Sequence, residues 1–159
     1  MNTHELVVFD ELEELGFSVF YPRRDRGIDC LVTTKKPGDK YVPIQIKGSK
    51  KYGTGGGWFV FNIRKLEQQP DQIWIFVWPD LNQKQEFEAF FIVIEASELL
   101  ERIRAVSTIG KSGRIDLYFE AKGDRVLQTR GLKKTSTPEQ ERVFTSFVGN
   151  WKLIAKRLS

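Results

Sequence analysis

Apolar positions along this chain change period several times, and the changes mark out its elements. From residue 3 to residue 15 they recur at helical spacing. At about 100° per residue, Val8, Phe9, Leu12 and Leu15 fall in one arc, with Asp10, Glu13 and Glu14 outside it. Thr3 is placed to cap this helix and Gly16 to end it. Phe17 to Tyr21 reads as a short strand closed by Pro22. Two further runs, Ile28 to Val32 and Tyr41 to Lys47, flank a turn rich in Lys, Pro, Gly and Asp, and together they predict a hairpin. Strand residues alternate between faces, so Gln45 and Lys47 share one face while Val42, Ile44 and Ile46 share the other. Pro43 cannot donate to a ladder and must stand at the start of its strand or at a bulge.

The rest of the chain continues the alternation of strands and helices. The glycine-rich loop Gly53 to Gly57 has no element of its own and is expected to be mobile. It lacks the Gly-Lys-Ser/Thr ending of a phosphate-binding loop. Trp58 to Asn62 alternates as a strand does, and Arg64 to Gln69 predicts a short helix before Pro70. Ile73 to Trp78 and Phe87 to Ile94 are apolar without alternation, as strands covered on both faces are, and pair across Pro79 to Gln85. Ser97 then caps a helix carrying Leu99, Leu100, Ile103 and Val106, and Arg114 to Phe119 alternates as a half-buried strand. Lys122 to Lys134 reads as polar and irregular. Thr137-Pro138-Glu139-Gln140 has the form of a capping box and predicts a helix broken at Gly149. Asn150 caps a last helix bearing Trp151, Leu153, Ile154 and Leu158. The expected fold is α/β: one domain over residues 1–159, a mixed sheet flanked by helices.

Composition removes several chemistries. Cys30 is the only cysteine and His4 the only histidine, which excludes a disulfide framework, a cysteine-built zinc site and Ser-His-Asp or Cys-His catalysis from this chain alone. The expected compartment is the reducing cytoplasm, since no basic leader with a long apolar run opens the sequence. No apolar run is long enough to span a bilayer, so no membrane is expected as a partner. Net charge is +4, which permits nucleic acid as a partner without requiring it.

Chemistry concentrates between Gly27 and Ser49. If the two runs pair, Asp29 lies near the end where Gln45 and Lys47 finish, bringing a carboxylate, an amide and an amine around one small volume. Glu5 adds a fourth candidate because it falls within the apolar arc of the first helix. It has two readings: a first-turn acid favoured by the helix dipole and open to solvent, or a buried acid that needs a cation.

A helix acid, a Gly27-Ile28-Asp29 strand start and a Gln45-Ile46-Lys47 strand, in that order, resemble the PD-(D/E)XK nuclease superfamily, with its restriction-endonuclease-like fold. Glutamine in place of the middle acid is similar to the group I intron-associated homing endonucleases of that superfamily. The opening helix, strand and Gly-Ile-Asp also look like Holliday-junction resolvases. The named motifs cover about the first third of the chain.

The resemblance implies a metal-dependent DNA endonuclease using Mg²⁺, with Mn²⁺ as a substitute. Its catalytic residues would be Glu5, Asp29, Gln45 and Lys47. The metal ligands would be Glu5, Asp29, the Gln45 side-chain carbonyl and the Ile46 backbone carbonyl, and Lys47 would orient the attacking water or neutralise the transition state. Phosphate contacts are expected from Arg23, Arg24, Arg26, Ser49, Lys50 and Lys51, which flank the motif. The basic positions Arg125, Arg130, Lys133 and Lys134 fit a solvated surface better, and the tryptophans fit a core. A homodimer is expected, since many such nucleases pair to cut two strands. Two other readings of the same residues stand beside this one. The first is a nucleic-acid-binding protein that keeps the fold without cleavage. The second is a small protein-interaction module in which the acids and Lys47 form an ordinary ion pair.

Overall fold

A computed structural model describes residues 2–24, 27–36, 40–50, 55–81, 84, 86–135 and 138–159. Helix α1 (Thr3–Glu14) leads into β1 (Phe17–Phe20), β2 (Cys30–Thr34) and β3 (Val42–Gly48). Then come β4 (Gly56–Asn62), α2 (Ile63–Gln68), β5 (Ile73–Leu81), β6 (Phe87–Glu95), α3 (Ala96–Val106), β7 (Arg114–Lys122), β8 (Arg125–Gln128) and α4 (Lys152–Leu158). The strands form a mixed sheet in the order β1-β2-β3-β5-β6 and a smaller antiparallel sheet in the order β4-β7-β8. In the larger sheet only β3 and β5 run parallel, and the crossover between them carries β4 and α2. The architecture is therefore mixed α/β, as the alternation of patterns predicts. Among the described residues no helix is long and apolar enough to cross a membrane.

Two apolar clusters lie on opposite faces of the larger sheet. On one face Cys30, Val32, Val42, Ile44, Ile46, Ile73 and Ile75 pack against Val8, Phe9 and Leu12 of α1 and Ile154 of α4. On the other, Trp74, Phe76 and Trp78 of β5 and Ile92 and Ile94 of β6 pack against Phe59, Phe61, Leu117 and Phe119 of the smaller sheet, with α2 and α3 closing the flank. This is why β5 and β6 are apolar at consecutive positions: both of their faces are covered. The smaller sheet lies over β5 and β6, leaving the same face of β1, β2 and β3 more open, with Phe20, Leu31 and Tyr41 exposed there.

Pro43 sits second in β3, opposite Leu31, and the parallel pairing with β5 begins one residue later at Ile44. Its missing N–H therefore falls where no ladder bond is required.

Local signals failed where tertiary contacts outweighed them. Asn2 rather than Thr3 caps α1; its side chain accepts from the Glu5 N–H at 2.9 Å, and Glu5 Oε2 accepts the Asn2 N–H at 3.1 Å. Leu15 stands exposed just beyond the last turn. Gly56 and Gly57 begin β4 rather than belonging to a loop, whereas Gly53 and Thr54 lie outside the described residues. Helix α3 starts at Ala96, without a cap from Ser97. The stretch 122–134 contains β8, which buries Val126 and Gln128 against β7. No α-helix forms between Pro138 and Gly149, where the chain makes two 3₁₀ turns, Gln140–Arg142 and Thr145–Phe147. That segment is pulled onto the core instead. Phe144 is fully buried, Arg102 donates to the carbonyl of Val143 at 2.7 Å, and its guanidinium lies 5.2 and 4.9 Å from the rings of Phe144 and Phe147. Helix α4 begins at Lys152 with no side-chain cap from Asn150.

Phe59 joins the two sheets. Fully buried, its ring lies 4.9 Å from Phe76, 5.8 Å from Phe119 and 6.0 Å from Trp78. Phe59→Ala should lower unfolding stability by about 3–5 kcal/mol in urea titration. A loss below about 1 kcal/mol would mean that the sheets do not depend on this contact.

Candidate functional site

The site forms where β2 stops short of β3. Gly27 adopts φ +83°, a left-handed conformation open to glycine, and its carbonyl accepts from the side-chain N–H of buried Gln72 at 2.7 Å. The chain then extends, and the Asp29 N–H donates to the Ile44 carbonyl at 2.9 Å, the last rung between the two strands. One step farther along β3, the Ile46 N–H points toward the same side but meets no strand carbonyl. It donates instead to Asp29 Oδ2 at 2.6 Å, and Gln45 Nε2 donates to the same oxygen at 2.8 Å. Hydrogen bonds to an ionised carboxylate contribute about 1.5–3 kcal/mol each, so this acid is fixed in place rather than left to sample rotamers. N–H and C=O of one strand residue point to the same side, so the Ile46 carbonyl faces this gap as well.

Register explains the grouping. Leu31 pairs with Pro43 and Cys30 with Ile44, so Asp29 comes opposite Gln45. Gln45 in turn neighbours Trp74 and Lys47 neighbours Phe76. Cys30 and Ile46 face α1; Asp29, Gln45 and Lys47 face away from it, at the line where the smaller sheet begins to cover the larger one. The Lys47 ammonium stands 5.9 Å from the centre of the Trp74 ring, within cation–π range. Gln45 is buried and Lys47 and Asp29 are partly exposed, so the group is held from below and open above.

Glu5 approaches from the opposite side of the sheet. Its carboxylate takes part in the α1 capping box and is half-exposed. His4, next to it, packs directly on Gly48, where a Cβ would collide with the imidazole, and so brings the start of α1 onto the end of β3. Cys30 lies buried on the α1-facing side of β2. Its thiol is pushed well above the ordinary range, first by burial and then by the Asp29 and Glu5 carboxylates. It stays un-ionised at neutral pH and is no thiolate ligand or nucleophile.

Among the described residues no three His, Cys, Asp or Glu side chains group as a metal centre. The donors at hand are the Asp29 carboxylate, the Ile46 carbonyl and, after a half-turn of its amide, the Gln45 side-chain oxygen. All are oxygens. They fit a magnesium-like ion that keeps several waters and takes one or two carboxylates, and they do not fit a soft metal.

The outlying expectations divide. Arg23 and Arg24 are exposed after β1, whose last pair, Phe20 with Leu31, lies two positions from Asp29. Lys50 is exposed and bridges to Trp58. The Ser49 hydroxyl donates to the Lys50 carbonyl at 2.6 Å and accepts from the Trp58 N–H at 2.9 Å, so it fastens β4 to the end of β3. Arg26 and Lys51 lie outside the described residues. Farther on, Arg125 pairs with Glu139 at 2.9 Å and Lys133 donates to the Arg104 carbonyl at 2.6 Å. Trp74 and Trp78 are core, while Trp58 is half-buried on the outer face of the smaller sheet, stacked on Tyr118 at 5.8 Å. Gln72 was the residue that pattern reading passed over; a polar side chain directly before the apolar run of β5 was the available signal.

No family model matches the chain, and no curated protein matches it. Among solved structures it is similar to a bacterial homing endonuclease, I-Ssp6803I, at 14% identity and a TM-score of 0.46, over 96% of this chain and 88% of that one.

Gln72→Ala removes the tether on the Gly27 carbonyl. It should cost about 1–3 kcal/mol in denaturant unfolding and speed hydrogen exchange at the Asp29 and Ile46 amides. Unchanged exchange at those amides would show that the tether does not hold the acid.

Proposed function

We propose that this chain is a metal-dependent endonuclease of the PD-(D/E)XK kind that hydrolyses DNA phosphodiester bonds. One observation carries the reading: a carboxylate locked by the Ile46 N–H and the Gln45 amide, with Lys47 on the same face and a backbone carbonyl beside it. Phosphodiester hydrolysis needs a positioned water and stabilisation of the charge that develops on phosphate. Bound Mg²⁺ or Mn²⁺ would supply Lewis acidity and lower the pKa of a coordinated water. Asp29 would hold that ion, with Ile46 and Gln45 contributing neutral oxygens and Glu5 acting through water from the α1 side. Lys47 would donate to the attacking water or the phosphate oxygens, placing positive charge where negative charge grows. Arg23, Arg24 and Lys50 would hold neighbouring phosphates without reading sequence.

A second reading has its own support. The Gln45 amide brings no charge, and as placed its N–H end faces Asp29. A site with one carboxylate so engaged suits a protein that binds nucleic acid without cutting it.

Cleavage of supercoiled plasmid and of single-stranded circular DNA in Mg²⁺ and in Mn²⁺ separates the two. The nuclease reading expects cleavage that Asp29→Ala and Lys47→Ala each reduce by about 10²-fold or more. Salt-sensitive binding without cleavage selects the second reading, and absence of both activities rejects both.

A further inference from the structure

The face that carries Asp29, Gln45 and Lys47 continues onto an exposed apolar shelf. Phe20 pairs with Leu31 and Leu31 with Pro43, forming a row across β1, β2 and β3 directly beside the Asp29–Gln45 row. Tyr41 lies one step behind, its ring 6.2 Å from Phe20 in an edge-to-face arrangement. Phe20 is 46% exposed, Leu31 37% and Tyr41 46%. Large apolar side chains gathered on one sheet face, rather than scattered singly, mark a surface that meets something.

Charge narrows the choice. Residues 17–48 hold seven lysines and arginines and three aspartates, an excess of +4 that equals the net charge of the whole chain. A second copy docking face to face would bring this excess against itself, a like-charge arrangement that specific interfaces avoid. A polyanion meets no such opposition. Paired bases in a duplex hide their faces in the stack, leaving aromatic side chains nothing flat to cover, whereas unpaired bases stack readily on exposed rings.

Building on the nuclease reading above, we infer that Phe20 and Tyr41 seat unpaired nucleobases, and that the substrate of the adjoining site is a single strand. The strand's phosphates pass Asp29 and Lys47 while the bases next to the scissile bond lie on the shelf. Arg23 and Arg24, at the same end of the sheet, meet the backbone beyond.

The test is fluorescence anisotropy of Asp29→Asn protein with a labelled single-stranded oligonucleotide and with the matching duplex. The single strand should bind at least about tenfold tighter. Phe20→Ala and Tyr41→Ala should each weaken single-strand binding by about five- to a hundredfold, the range for losing one stacking ring, and change duplex binding less than about twofold. Phe20→Trp should retain single-strand binding, which separates loss of a ring from loss of fold. Equal or tighter duplex binding, or single-strand affinity indifferent to both alanines, overturns the inference. So does sedimentation showing a dimer that Phe20→Ala dissociates, since a second copy would then cover the shelf. If no nucleic acid binds in any form, the underlying nuclease reading fails, a result distinct from binding that ignores the shelf.

Discussion

The Ile46 N–H has no strand carbonyl to meet, because β2 begins at Cys30, opposite Ile44, and does not extend far enough to supply one. A buried backbone donor left without a partner costs about 1–3 kcal/mol, and the Asp29 carboxylate removes that cost at 2.6 Å. Much of the local structure follows from this bond. It fixes the acid at the mouth of the gap between two strands and turns the Gln45 amide toward the same oxygen. It also makes the left-handed turn at Gly27 and its tether to buried Gln72 matter to where the acid stands.

The two apolar clusters set the wider frame. Because α1 and α4 pack on one face of the larger sheet and the smaller sheet packs over only β5 and β6 on the other, a boundary runs along β3. Asp29, Gln45 and Lys47 sit on that boundary, with the Trp74 ring beneath the Lys47 amine on the covered side and the Phe20–Leu31–Tyr41 shelf on the open side. A ligand laid on the open half meets polar groups at the step. The packing that stabilises the fold therefore also determines where chemistry is accessible.

Periodicity made the long elements legible: α1, the hairpin of β2 and β3, the doubly covered β5 and β6, and β7 all follow from which positions are apolar. The grouping of Asp29, Gln45 and Lys47 was legible too, because the hairpin register and the two-residue alternation leave little choice of face. Three things were not. β8 is four residues long and shows no alternation strong enough to distinguish it from a loop. The helix signal at Pro138 lost to the burial of Phe144 and its contact with Arg102, both set by residues far away in sequence. Glu5 gave two readings that the pattern alone left open. The structure places it in a capping box with Asn2, beside His4, which packs over Gly48.

We propose that the oxygens around Asp29 form a seat for a hard cation. Titration with Mn²⁺, followed by paramagnetic broadening of backbone amide signals, tests it without requiring turnover. A cation seated there should broaden the signals of Asp29, Cys30, Ile46 and Lys47 selectively, an effect abolished in Asp29→Asn. Broadening spread over the surface acids of α1, or unaffected by Asp29→Asn, would contradict it.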